Sequence, residues 1–186
     1  MQGLINFSEA DIRAAVAKRG FTVGGLSQDQ VADRIVGLLN GELRLMDCQG
    51  LTEQAMEGVY AMAYNTFRAG KYENAHKLFV FLAVYDHLTQ KYWMGLGACR
   101  YNMGHYQGAL EAYGMAQVID PEDPRPQLRG AECFLALNRR DQAVAALQVY
   151  LEMAKNAPKE VANVKRARAL LAALTKPKAR GAETKQ

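Results

Sequence analysis

The sequence predicts an all-α chain of three stacked helical hairpins, with helices before them and a capping helix after them, and three observations lead there. Short runs recur at an interval of 34 residues: Gly70-Lys71-Tyr72, Gly104-His105-Tyr106 and Asn138-Arg139-Arg140 hold equivalent places, as do Ala75, Ala109 and Ala143, and Phe79, Tyr113 and Leu147. Each unit divides at its Gly or Asn, a residue that takes the left-handed conformation ending a helix at low steric cost. Asp120-Pro121 and Pro124 then stop the second hairpin and open the third, because proline cannot continue a helix but suits its first turn.

Taken in order, residues 1–55 read as an N-terminal helical segment. A short helix is expected around 8–18. Ser27-x-x-Gln30 has the form of a capping box and opens a helix through about Met46, with Val31, Ile35, Leu38, Leu39 and Leu45 as its apolar positions. The hairpins follow at 56–89, 90–123 and 124–157. The small residue at 75, 109 and 143 allows close helix approach, and the aromatic or Leu one turn later fills the space between neighbours. Stacked hairpins need caps, and 158–174 supply one: Val161, Val164, Ala167, Leu170, Leu171 and Leu174 fall at helical spacing, with Lys159, Lys165, Arg166 and Arg168 largely opposite. The Lys-, Pro- and Gly-rich stretch 175–186 reads as a disordered basic tail.

Composition narrows the function classes. The 186 residues are 49% apolar and 23% charged, ordinary for one soluble domain. Apolar runs such as Leu78 to Val84 are far below the roughly 20 residues of a membrane span, and Glu9 and Asp11 interrupt any signal-peptide pattern, so a cytoplasmic protein without membrane insertion is expected. Cys48, Cys99 and Cys133 lack metal-ligand or paired spacing and read as buried small hydrophobes, and no cofactor is implied. Of the net charge of +4, Lys176, Lys178, Arg180 and Lys185 against Glu183 carry +3, which leaves no phosphate-binding face and no reason to expect nucleic acid.

The functional clue lies in the first helix of the first hairpin. Val59, Met62, Ala63 and Thr66 form a stripe expected to face the partner helix, while Tyr60, Tyr64 and Phe67 form a second stripe pointing elsewhere. An aromatic stripe at helical spacing is often core, and the N-terminal helix could cover this one. The phenolic ends of Tyr60 and Tyr64 favour a wet groove instead.

Trp93, Leu96 and Gly97, with the later Ala and aromatic columns, resemble the tetratricopeptide repeat. More specifically, Gly58-Val59-Tyr60-Ala61-Met62-Ala63-Tyr64, Gly70 to Phe79, Asp86-His87, Gly95-Leu96-Gly97-Ala98-Cys99-Arg100 and Ala131-Glu132-Cys133 resemble the class II chaperones of bacterial type III secretion, the LcrH/SycD-like chaperones of translocator proteins. The resemblance covers about residues 40–157. It implies a tetratricopeptide-repeat superhelix whose first helices line a concave groove. The groove aromatics fall on Tyr60, Tyr64 and Phe67 with Tyr72 nearby, joined by Met94, Ala98 and Tyr101 and by Leu128, Glu132 and Leu135. It further implies a bacterial cytoplasmic chaperone that holds hydrophobic pore-forming translocators by a P-x-L-x-x-P-like segment, with a homodimer possible through the helix at 27–46.

A general tetratricopeptide adaptor is the alternative. The carboxylate clamp of one such kind would need basic or amide residues where Tyr60, Tyr64 and Gly95 stand, and only Arg125 and Arg129 would serve. An enzyme is the weakest reading, because His76 and His87 of the first unit and His105 of the second sit at loop or helix positions without a nucleophile, a metal motif or a phosphate loop.

Overall fold

The computed structural model describes residues 8–19, 25–40, 43–156 and 161–176. Among these the chain is helical throughout: α1 Glu9–Arg19, α2 Gln28–Leu39, α3 Leu45–Gln49, α4 Glu53–Arg68, α5 Tyr72–Tyr85, α6 Gln90–Asn102, α7 Tyr106–Ile119, α8 Arg125–Ala136, α9 Arg140–Met153 followed by a 3-10 turn Ala154–Asn156, and α10 Val161–Thr175. No helix among the described residues is long and apolar enough to cross a membrane.

The three hairpins α4/α5, α6/α7 and α8/α9 turn in the same way. Gly70, Gly104 and Asn138 have φ of 74°, 80° and 58°. The next residue's N–H donates back five positions, from Lys71 to Thr66 at 3.2 Å, His105 to Arg100 at 2.8 Å and Arg139 to Phe134 at 2.8 Å. These are helix ends closed by a left-handed residue, and they satisfy carbonyls that the helix leaves without partners. Each helix packs on its chain neighbours from α4 through α10, so the core is a stack of local interfaces. Ala75, Ala109 and Ala143 are fully buried, and Phe79, Tyr113 and Leu147 are at most 4% exposed between them. Trp93 buttresses the first junction by donating its indole N–H to the His87 carbonyl at 2.8 Å.

The front of the molecule differs from the single helix predicted over 27–46. The capping box at Ser27 and Gln30 is formed, with bonds of 2.9 and 3.3 Å. The helix, however, ends at Leu39 with Asn40 as its cap, and Leu43 turns back to donate its N–H to the Gly37 carbonyl at 3.0 Å. Gly37 allows this because a Cβ there would lie 2.7 Å from Leu43 Cδ1. The apolar pattern thus serves two elements. Val31, Ala32 and Ile35 of α2 pack with Ile12 and Val16 of α1, whereas Met46 of α3 enters the core of the first hairpin with Met56 and Ala63. Arg44, just before α3, pairs with Asp47 at 3.0 Å and reaches the buried Asp86 at 3.5 Å, which also accepts the Thr89 hydroxyl at 2.7 Å.

Met62 also departs from its expected place: it is 59% exposed. The equivalent residue of the second hairpin, Leu96, is buried in one cluster with Phe79, Leu82 and Ala83 of the hairpin before it. The first hairpin has no such predecessor, and α3 packs on it without covering Met62.

At the back, α10 packs on α9 and closes the stack. Ala167, Val164, Leu170, Leu171 and Leu174 join Leu128, Ala131, Leu147 and Tyr150 in one apolar cluster. The Arg140 Nε donates to the Leu174 carbonyl at 2.9 Å, holding the end of α10. Lys176 is the last described residue, so most of the expected basic tail lies outside the described residues.

Candidate functional site: a concave groove

The first helices of the hairpins, α4, α6 and α8, form the wall of an open cavity of about 480 Å³. Its floor depends on glycine. A Cβ on Gly95 would lie 2.2 Å from Phe79 Cε1, so only glycine lets the α5 aromatic rise to the groove surface, and a Cβ on Gly97 would meet Tyr113 at 2.6 Å. These two close approaches are to the second helices of two successive hairpins, α5 and α7.

At the first-hairpin end the wall is aromatic. Tyr60 stacks on Tyr64 with centroids 6.3 Å apart and sits 6.1 Å edge-on from Phe79 and 5.9 Å from Tyr92. The Lys91 ammonium, paired with Glu57, lies 4.6 Å from the Tyr60 centroid, a distance at which the ring face attracts a cation. Tyr64 is 48% exposed, so the N-terminal helices leave it accessible. Burial, with the nearby Glu57 and Asp86 carboxylates, pushes the Tyr92 phenol up to about 12. That side chain stays neutral at any working pH.

The other end is charged. Glu132 is 8% exposed, with Arg129 Nη1 2.8 Å from Oε2 and Arg166 Nη2 2.9 Å from Oε1. Arg125 makes two parallel bonds to Asp123, at 2.9 and 2.7 Å. Burial works against ionisation of Asp123, yet the combined bonds from Arg125 hold its carboxyl below the usual carboxylate range.

Seven of the ten residues expected in the groove line this cavity: Tyr60, Tyr64, Phe67, Met94, Ala98, Tyr101 and Glu132. Tyr72 stands beside it, its ring 5.3 Å from Phe67, on a shallow depression shared with Lys71, Asn74 and Met103. The pair repeats 34 residues later as Tyr101 and Tyr106, also at 5.3 Å. Two expectations need correction. Leu128 is 3% exposed and belongs to the apolar cluster that α10 covers, so it is core. Leu135, half-buried, is not among the lining residues. The physical reason at Leu128 is that it packs with Ala146, Leu147 and Tyr150 of α9 and with Ala167 of α10 in one apolar cluster.

Sequence reading missed Arg166, and a signal for it existed. Carrying the 34-residue register into the next unit places Arg166 in the column of Tyr64, Ala98 and Glu132, all four of which line the cavity. Phe79 and Tyr113, assigned to the core, contribute to the lining as well.

Behind the wall, Cys99 and Cys133 are fully buried, and burial raises their thiols to about 11 and about 12. Because the thiolate is the reactive form, iodoacetamide at pH 8 is expected to leave both unmodified in the native protein and to label both in guanidinium, as read by peptide mass spectrometry. Labelling of either in the native state would contradict its burial.

The tetratricopeptide-repeat family profile matches residues 56–87 and 91–123. The chain is 35% identical over 108 residues to the low calcium response locus protein H of Yersinia pseudotuberculosis, a match covering 58% of this chain and 64% of that relative, so it spans just under two thirds of the relative's length. With the chaperone protein SicA of Salmonella typhimurium it shares 31% identity over 151 residues, covering 73% of this chain and 92% of SicA. Among solved structures, the type III secretion chaperone SycD of Yersinia enterocolitica, in complex with a peptide of the translocator YopD, superposes with a TM-score of 0.65 at 35% identity, covering 66% of this chain and 94% of SycD.

Proposed function

Since the chain belongs to the class II, tetratricopeptide-repeat translocator chaperones of type III secretion, we propose that its groove captures an extended segment of a hydrophobic translocator in the bacterial cytoplasm and keeps that client soluble until export. The observation that supports this is the cavity itself. The first helices of two hairpins present Tyr60, Tyr64, Phe67 and Tyr101 over the Gly95 floor and that of the third adds charged side chains, with room for side chains from a strand that has no partner of its own. Burying an apolar client side chain there contributes about 1.5–3 kcal/mol, less the cost of ordering the segment, so two or three anchors give micromolar binding. A proline-containing segment loses less entropy because it is already extended in solution.

Capture works by mass action: an unsecreted translocator with apolar segments exposed would aggregate or enter the wrong membrane, and one-to-one binding withdraws it from both routes. The role requires no catalysis. Tyr60, Tyr64 and Gly95 stand where a carboxylate clamp would need cationic or amide groups, which argues against the general adaptor. A homodimer through the N-terminal helices belongs to the same reading.

The test is affinity purification of the chain from its native bacterium after gentle lysis, with mass spectrometry of stoichiometric partners. A partner with one or two long apolar segments and a proline-flanked leucine is expected. A set of soluble partners sharing an acidic C-terminus would replace this function with that of an adaptor.

A further inference from the structure

The groove is chemically polarised, aromatic at the first hairpin and cationic where α8 meets α10. Among the described residues, four cations line it against a single carboxylate, Glu132. Two of them are matched from outside the cavity, Lys91 by Glu57 and Arg125 by Asp123. The remaining two, Arg129 and Arg166, share Glu132. One carboxylate carries one charge, so this end keeps a surplus positive charge on guanidiniums whose side chains are 49% and 58% exposed.

The buried Glu132 does more than neutralise one of them. It accepts a hydrogen bond from Arg129 on α8, while its other oxygen lies 2.9 Å from Arg166 on α10 as an ion pair without a hydrogen bond, and so draws both guanidiniums to one place without using all the donors of either fork. Two positioned, half-exposed guanidiniums suit a planar carboxylate, which accepts from both.

We infer that Arg129 and Arg166 bind an acidic side chain of the client segment, a Glu or Asp a few residues to one side of its apolar anchor, and thereby set which apolar segments are accepted and in which direction they lie. This rests on the proposed function, since it takes the groove to hold a client segment. It also gives α10 a part in recognition beyond closing the stack. An apolar segment without the acid leaves the surplus charge to water and is bound through the aromatic end alone.

The experiment is calorimetric titration of the full chain with twelve-residue peptides that carry a Pro-x-Leu-x-x-Pro core and a Glu either two residues before or two residues after it, each beside its Gln twin. For one of the two placements the Glu peptide is expected to bind about tenfold more tightly than its twin at low salt, with the gap narrowing at high salt. Arg166→Gln should bring the Glu and Gln peptides within about twofold of each other, by weakening the Glu peptide more than its twin, and Arg166→Lys should restore part of the gap. Arg129 remains beside Glu132 in both variants, so the buried carboxylate keeps a partner. Equal binding of Glu and Gln peptides at both placements would overturn this inference and leave the groove reading standing. A preference that survives both Arg166→Gln and Arg129→Gln would overturn the assignment to these arginines. Failure of every peptide to bind would remove the groove reading along with it.

Discussion

Replacing Tyr64 and Phe67 together with alanine is expected to abolish client binding while leaving the helical circular dichroism intact. Tyr64 is 48% exposed, and Phe67 is half-buried with Tyr72 as its ring neighbour. Both side chains line the cavity. Neither is among the fully buried residues that hold α4 on α5. Each aromatic wall that a client side chain would have covered contributes about 1.5–3 kcal/mol, so the pair is worth roughly two to four orders of magnitude in affinity. Tyr60 is left in place because its contacts with Phe79 and Tyr92 make it partly structural. If the double variant loses its helix signal, the stripe is core and the groove assignment fails at its aromatic end.

Phe79→Ala is expected to have the largest effect on stability. The ring is 2% exposed, lies under Gly95 and touches Tyr60 edge-on. Truncating a buried Phe costs about 3–5 kcal/mol, which for a chain of this size lowers the melting midpoint by roughly 6–20 °C. Gly95→Ala probes the same contact from the other side. Its new methyl, 2.2 Å from Phe79 Cε1, overpacks the interface at a cost of about 1–3 kcal/mol. The double variant should be less destabilised than the sum of the two, because the methyl then enters space that the ring has left. Additive melts would show that the glycine and the ring are not in the close approach described.

How far the site was legible follows from how its parts are encoded. Tyr60, Tyr64 and Phe67 could be found because two apolar stripes on one amphipathic helix exceed what a single partner helix can bury, an argument within one turn-by-turn pattern. Arg166 could have been found by extending the repeat one unit further, where it falls in the groove-lining column of Tyr64, Ala98 and Glu132. Leu128 could not be excluded from the groove by local pattern. It occupies the same column as Tyr60 and Met94, and it is buried in the apolar cluster that α8 and α9 form with α10.

The sequence by itself determined the hairpins. Their boundaries, their left-handed turns at Gly70, Gly104 and Asn138, and the buried Ala and aromatic columns are local properties repeated every 34 residues, and each interface joins chain neighbours. Tertiary structure alone decided the ends of the stack. It turned the chain back at Leu43 over Gly37 so that α3 covers the first hairpin, left Met62 in solvent, and brought Arg166 to Glu132 across two elements. At the ends the repeat no longer supplies the neighbour, so which face is covered depends on where non-repeating segments pack, and that is fixed by apolar burial and ion pairing across space.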